Sequence, residues 1–181
     1  ASALATLNLA IRTLQERIDD ADPASNAPTS KQCQPADSES IFVVHGHDGE
    51  VKNAVARFIT ALGLRPIILD EQANQGMTVI EKFEAHSNVG FAVVLLTPDD
   101  RGGLPTETPR PRARQNVVLE LGFFVGALGR DRVCAIVRGP DIEVPSDLHG
   151  LVSTRYEEDW KLKLARELKA AGYGIDMNDA L

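Results

Sequence analysis

Two cysteines in 181 residues are too few for a disulfide framework. Cys33 lies in a polar stretch and Cys134 in an apolar one. They suggest neither a bridge nor a metal site, and this usage fits a reducing cytoplasm. An apolar run of about 20 residues is missing, so nothing here is expected to span a membrane. No secretory signal is read, and the first residue is Ala, which is compatible with a trimmed start. Basic excess is missing too. With a net charge of −7, the chain has no general cationic surface for phosphates, which argues against nucleic acid as the main partner. What is present is ordinary for a soluble globular chain, 43% hydrophobic and 25% charged. The length suits one domain with a sizeable core plus an appendage.

Residues 1–20 carry Leu4, Leu7, Ile11, Leu14 and Ile18 at alternating spacings of three and four. That is an a/d stripe on a helix, too short to be stable alone. It packs on its own domain, or it is the tail of an upstream helix or a short dimerising seam. Residues 21–40, rich in Pro, Ser, Asp and Ala, read as a flexible linker. The globular domain is therefore expected over residues 41–181, its core starting near Ile41.

Strands and helices then alternate. "IFVV" is a buried parallel strand. A helix follows with Val51, Val55, Phe58 and Leu62 on one face, stopping at Gly63. "RPIILD" is the second strand, and Thr78 with Glu81 forms a capping box that starts another helix. "GFAVVLLTPDD" is the third strand. A Pro/Gly/Arg-rich loop over 101–114 leads to a helix ending at Gly129, and "RVCAIVRG" is the fourth strand. A weaker strand spans Leu151 to Tyr156. The last helix turns Trp160, Leu164 and Leu168 inward and ends at Gly172. The pattern predicts an α/β fold, a five-stranded parallel doubly wound sheet in flavodoxin-like order. Right-handed crossovers gather the carboxyl ends of all strands on one edge, where ligands bind. The loops collected there are His45–Asp48, Asp70–Met77 and Thr97–Arg114.

Several chemistries can be weighed at that edge. The "HGHD" stretch could offer zinc ligands, but only His86 and His149 remain as further histidines, neither in metal spacing. No metal is expected. The same loop can be a plain polar turn, with Gly46 permitting the bend and Asp48 capping the next helix. It can also hold an anion on its backbone N–H groups. Neither G-x-G-x-x-G nor G-x-x-x-x-G-K-[ST] follows the strand, which removes a Rossmann-type dinucleotide site and a P-loop. A phosphoacceptor receiver is rejected because the first strand ends in His45 and the third at Thr97, where that chemistry wants carboxylates. Arg110, Arg112 and Arg114 form a basic loop that either steers phosphates or is a solvated lid.

The stretch "QNVVLELGFFVGALG" carries a single charge, Glu120. Its same-face neighbours are expected to be Asn116, Phe123 and Phe124, with Val117, Val118, Leu121, Val125 and Leu128 as the core stripe. Burying an unpaired carboxylate costs several kcal/mol in order of magnitude. Glu120 therefore either faces water or faces something that wants negative charge. A solvated face normally carries more than one charge, which favours a site.

Together, "IFVVHGHD", "EQANQGMTVIEKFE", "AVVLLTPDD" and "RQNVVLELGFFVGALGR" resemble a Toll/interleukin-1 receptor (TIR) domain over about residues 41–172. They are most similar to the bacterial TIR-like group of predicted nucleotide-binding proteins. That resemblance implies an antiphage effector joined to a cyclic-nucleotide sensor, active when assembled as a homo-oligomer through TIR–TIR contacts. It implies cleavage of NAD+ at the nicotinamide–ribose bond by one glutamate on the helix after the third strand, here Glu120. NAD+ is then substrate, and no cofactor is implied. Expected substrate-binding residues are His45, Gly46, His47, Asp48, Met77, Thr97, Asp99, Arg114 and Asn116. The chain departs from many TIR enzymes at Asn116, where they carry Trp, and at Val44, where they carry Ser. Stacking on the substrate then falls to Phe123 or a neighbouring subunit. A non-catalytic TIR scaffold binding a nucleotide or protein partner is the alternative from another class.

Overall fold

A computed structural model of the chain describes residues 37–68, 89–106, 108–144 and 152–180. All belong to the unit Gln34–Leu181. The Leu4–Ile18 stripe, Cys33, Met77, the capping box at Thr78, His86 and His149 lie outside the described residues.

The strands are β1 (Asp37–Val44), β2 (Arg65–Ile68), β3 (Val89–Leu96), β6 (Val133–Val137) and β7 (Val152–Arg155). They form one parallel sheet in the order β2-β1-β3-β6-β7. The flavodoxin-like α/β expectation holds. Every residue of β3 and β6 is buried, the mark of a parallel sheet covered on both faces. Alternate residues sort to opposite faces. Ile41, Val43, Phe91, Val93, Leu95, Cys134 and Ile136 pack beneath two helices, α1 (Gly49–Ala61) and α3 (Trp160–Ala170). Phe42, Val44, Ala92, Val94, Leu96, Ala135 and Val137 pack beneath α2 (Gln115–Leu128).

Two expectations need correcting. β1 begins at Asp37, so residues 37–40, read above as the end of the linker, are strand. Ser40 is buried, accepts from Arg65 Nε at 3.0 Å and Nη2 at 2.8 Å, and pairs in register with Arg65. The polar residue is tied into the ladder, which composition alone does not reveal. Second, the loop over 101–114 is partly ordered as an antiparallel pair, β4 (Asp100–Gly102) with β5 (Arg110–Arg112). Asp100 and Arg112 face each other across it.

The helix faces follow the periodic reading with one change. Val51, Val55, Phe58 and Leu62 are buried, as are Trp160, Leu164 and Leu168. In α2 the buried stripe is Val117, Leu121 and Phe124, while Val118, Val125 and Leu128 are only partly covered. Phe124, one turn beyond Glu120, is buried and packs its ring against Phe42, with centroids 4.7 Å apart.

Candidate active site

The carboxyl ends of β1, β3 and β6 place three loops side by side, and the hydrogen bonds show how they are held. Asp99, two residues past the end of the β3 apolar run at Thr97, turns back toward the β1 loop. Its Oδ2 accepts from Thr97 Oγ1 at 2.6 Å and from the backbone N–H of His47 at 3.1 Å. Gly46 makes this possible. A β-carbon built there would stand 1.7 Å from that oxygen, so the carboxylate occupies the space a side chain would need. Arg114, the residue before α2, places Nη1 3.1 Å from His47 Nε2. A guanidinium only donates, so His47 Nε2 is the acceptor.

His47, Asp99, Asp100, Arg114, Gln115 and Asn116 line one cavity of about 330 Å³. Four of the expected site residues, His47, Asp99, Arg114 and Asn116, thus come together, with Gly46 and Thr97 directly behind Asp99. His45 instead turns Nδ1 to the Gly46 carbonyl at 2.7 Å. Asp48 is engaged elsewhere: Oδ1 caps α1 through Val51 N–H at 3.1 Å, and Oδ2 pairs with Arg138 at 2.7 Å. Met77 lies outside the described residues. Glu120 is half-buried, the sole charged residue of α2, one helical turn beyond Asn116 on the same flank.

Sequence reasoning missed Arg138 and the division of labour among the arginines. Arg138 follows the last residue of β6, binds Asp48 and, at 3.0 Å, Glu50, and lies over the Tyr156 ring at 5.4 Å. These carboxylates raise its already high basicity, Glu50 foremost. The legible signal was an arginine ending an apolar strand at the ligand edge. The basic loop does not act as one patch. Arg112 is clamped to Asp100 Oδ2 through Nε at 3.1 Å and Nη2 at 3.0 Å, and Arg101 donates to the Pro109 carbonyl at 3.1 Å. Arg114 alone of Arg110, Arg112 and Arg114 lines the cavity with His47. The N–H of Arg101, then the Arg112 guanidinium, hold the Asp100 carboxyl below its usual range.

Among the described residues, no three His, Cys, Asp or Glu side chains converge as metal ligands, and no helix is long and apolar enough to cross a membrane. A cavity of about 390 Å³ on the α2 face, bordered by Leu96, Leu121, Ala135 and Val137, contains none of the expected site residues.

Residues 40–158 match the family described as CAP12/Pycsar effector protein, TIR domain. The chain belongs to this family. The TIR domain is also similar to an uncharacterized protein, YuaY, of Escherichia coli (strain K12), 48% identical over 170 residues, which are 92% of this chain and 54% of that protein. Protein tirC of Dictyostelium discoideum is 34% identical over 144 residues, 74% of this chain and 71% of tirC. The Pycsar effector protein PaPycTIR of Pseudomonas aeruginosa is 43% identical over 67 residues, 36% of this chain and 21% of that effector. The TIR chain therefore spans about half the length of the Escherichia coli relative and matches about a fifth of the Pycsar effector.

Proposed function

We propose that this TIR domain cleaves NAD+ at the nicotinamide–ribose bond, with Glu120 as its catalytic carboxylate. It does so as an antiphage effector that assembles with copies of itself downstream of a cyclic-nucleotide signal. The observation that carries the reading is the placement of Glu120: half-buried and alone in its charge on α2, one turn behind the Asn116 that lines the edge cavity. Membership of the CAP12/Pycsar effector family supports the biological setting.

The chemistry suits one carboxylate. O-glycoside hydrolysis ordinarily takes two, one of them to protonate the leaving group. Nicotinamide in NAD+ is cationic and departs neutral, so that acid is not needed. Glu120 stabilises the positive charge that develops on the ribosyl ring. Water then adds at C1′ and its surplus proton passes to solvent. Arg114, braced by His47, and the first turn of α2 supply the positive end for the diphosphate.

The test is Glu120→Gln, which keeps shape and removes charge. Nicotinamide release under assembling conditions should fall by about 10²–10³, the usual weight of one preorganised electrostatic group. The melting temperature should stay near wild type, because a carboxylate that still reaches solvent adds little stability and the amide keeps its shape. Undiminished release by the variant would remove Glu120 from the mechanism.

One observation favours a second reading. The cavity that gathers His47, Asp99, Arg114 and Asn116 does not include Glu120. A TIR scaffold that holds a nucleotide without cleaving it would look the same there. Wild-type protein that binds NAD+ yet releases no nicotinamide when assembled would establish that reading instead.

A further inference from the structure

A second cavity, of about 310 Å³, is lined by Arg112, Ala113, Gln115, Val118 and Glu143. It lies on the other side of α2 from Glu120, since Val118 and Glu120 are two positions, about 200°, apart around the helix. Gln115 lines both this cavity and the one beside His47 and Arg114. The two spaces therefore meet at the first residue of α2.

Arg112 is the cation of this cavity, and it is immobilised. Its Nε and Nη2 are held in plane by Asp100 Oδ2. Gly102 backs one face. A β-carbon built on Gly102 would lie 2.2 Å from Nη1, 2.3 Å from Cζ and 2.6 Å from Nε of Arg112. Such similar distances to three atoms put that carbon over the guanidinium plane, not at its edge. What Arg112 can still offer the cavity is its other face and Nη1. A flat, fixed cation with one free face stacks on a planar π-system. The remaining lining sorts the same way. Ala113 and Val118 are apolar, Gln115 carries both a donor and an acceptor, and Glu143 accepts. The Glu143 backbone N–H is anchored to the Pro111 carbonyl at 2.8 Å. An amide and a carboxylate around a stacking cation match a base bearing an exocyclic amine, and Gln reads the N6/N7 edge of adenine.

We propose that this cavity, between the β4–β5 hairpin and α2, binds the base of an adenine nucleotide, stacked on the free face of Arg112. The nucleotide is either the adenosine half of a substrate whose other half reaches Glu120, a role that rests on the reading above, or a separate adenine nucleotide.

The full chain, carrying Glu120→Gln so that nothing is consumed, is titrated calorimetrically with AMP, IMP and nicotinamide mononucleotide. AMP should bind, and IMP, which replaces the amine with a carbonyl, about tenfold more weakly, the scale of one lost base-edge contact. Gly102→Ala pushes on the far end of a flexible side chain, so the fold should survive while Arg112 leaves its plane. Arg112→Lys keeps the charge and loses the plane. Each should lower AMP affinity by about tenfold, the weight of a desolvated stacking cation, with melting temperature recorded alongside. No AMP binding by the folded chain, or affinity unchanged in both folded variants, overturns the site. NAD+ displacing AMP assigns the substrate subsite, and simultaneous binding assigns a separate one. Nicotinamide release is read independently, so loss of the hydrolase reading leaves the AMP result standing.

Discussion

Gly46 shows how much a missing β-carbon can hold in place. Asp99 lies where that carbon would be and joins the β3 end to the β1 loop. Gly46→Ala should swing Asp99 away and break its bonds to Thr97 and His47. At about 1 kcal/mol each, the cost should be about 1–3 kcal/mol in denaturant midpoints. Substrate affinity should fall in parallel if His47 and Arg114 bind it. An unchanged midpoint would mean the loop has a second arrangement of equal energy. Cys134 is the opposite case, a reactive group made inert. Burial foremost, then the charge of Glu167, pushes its thiol up to about 12. A raised folded value means that its stabilising effect is full below the unfolded value near pH 8.5 and is lost as pH rises toward the folded one. In a Cys33→Ser background, an aromatic disulfide reagent at pH 8 should react with Cys134 only as fast as the protein unfolds. Glu120 was legible at this scale because one charge in an apolar helix is conspicuous. Asp99 as a clamp was not, because its partner Gly46 is 53 residues away in sequence and meets it only through the parallel pairing of β1 with β3.

At the scale of elements, α2 separates its faces sharply. Leu121 is fully buried and Leu119 is 61% exposed. Leu121→Ala should cost about 2–5 kcal/mol, whereas Leu119→Ala should stay within about 0.5 kcal/mol. Equal costs in chemical denaturation would refute the orientation of the helix. The β4–β5 hairpin should show itself in acid. Asp100 and Glu157 both titrate below the usual carboxylate range, Asp100 through the Arg101 N–H and Arg112, Glu157 through the N–H groups of Gly139 and its own residue. With depressed folded values, their contribution is present in full above the unfolded range near pH 4 and is lost as pH falls through the folded values. Melting temperatures taken downward from about pH 5 should fall less steeply for Asp100→Asn than for wild type. Identical slopes would deny the Asp100–Arg112 clamp any thermodynamic weight. The hairpin escaped the sequence because its strands are three residues each and rich in Pro, Gly and Arg, against every ordinary strand preference. The long central strands were plain for the converse reason: β3 is apolar throughout, and no side of it meets water.

For the molecule as a whole, the true start of β1 gives a cleaner cut than composition suggested. A chain lacking residues 1–36 should melt cooperatively, whereas one lacking residues 1–40 forfeits the buried Ser40 and its two bonds from Arg65 and should melt lower. Equal melting of the two would mean the first half of β1 adds nothing. The doubly wound sheet was readable because apolar strands alternate with amphipathic helices. The meeting of His47 with Arg114 was not, because loops obey the scaffold and not a period. The sheet also separates two populations of side chains that interleave along every strand. Val93 belongs with Val55 and Leu164, while its chain neighbour Val94 belongs with Val117 and Leu121. Adjacent letters are therefore strangers, and distant ones are confidants. A double-mutant cycle should read this as grammar: Val94→Ala with Leu121→Ala should depart from additivity by about 0.5 kcal/mol or more, while Val93→Ala with Leu121→Ala should simply sum. The wall between the two conversations is one backbone thick.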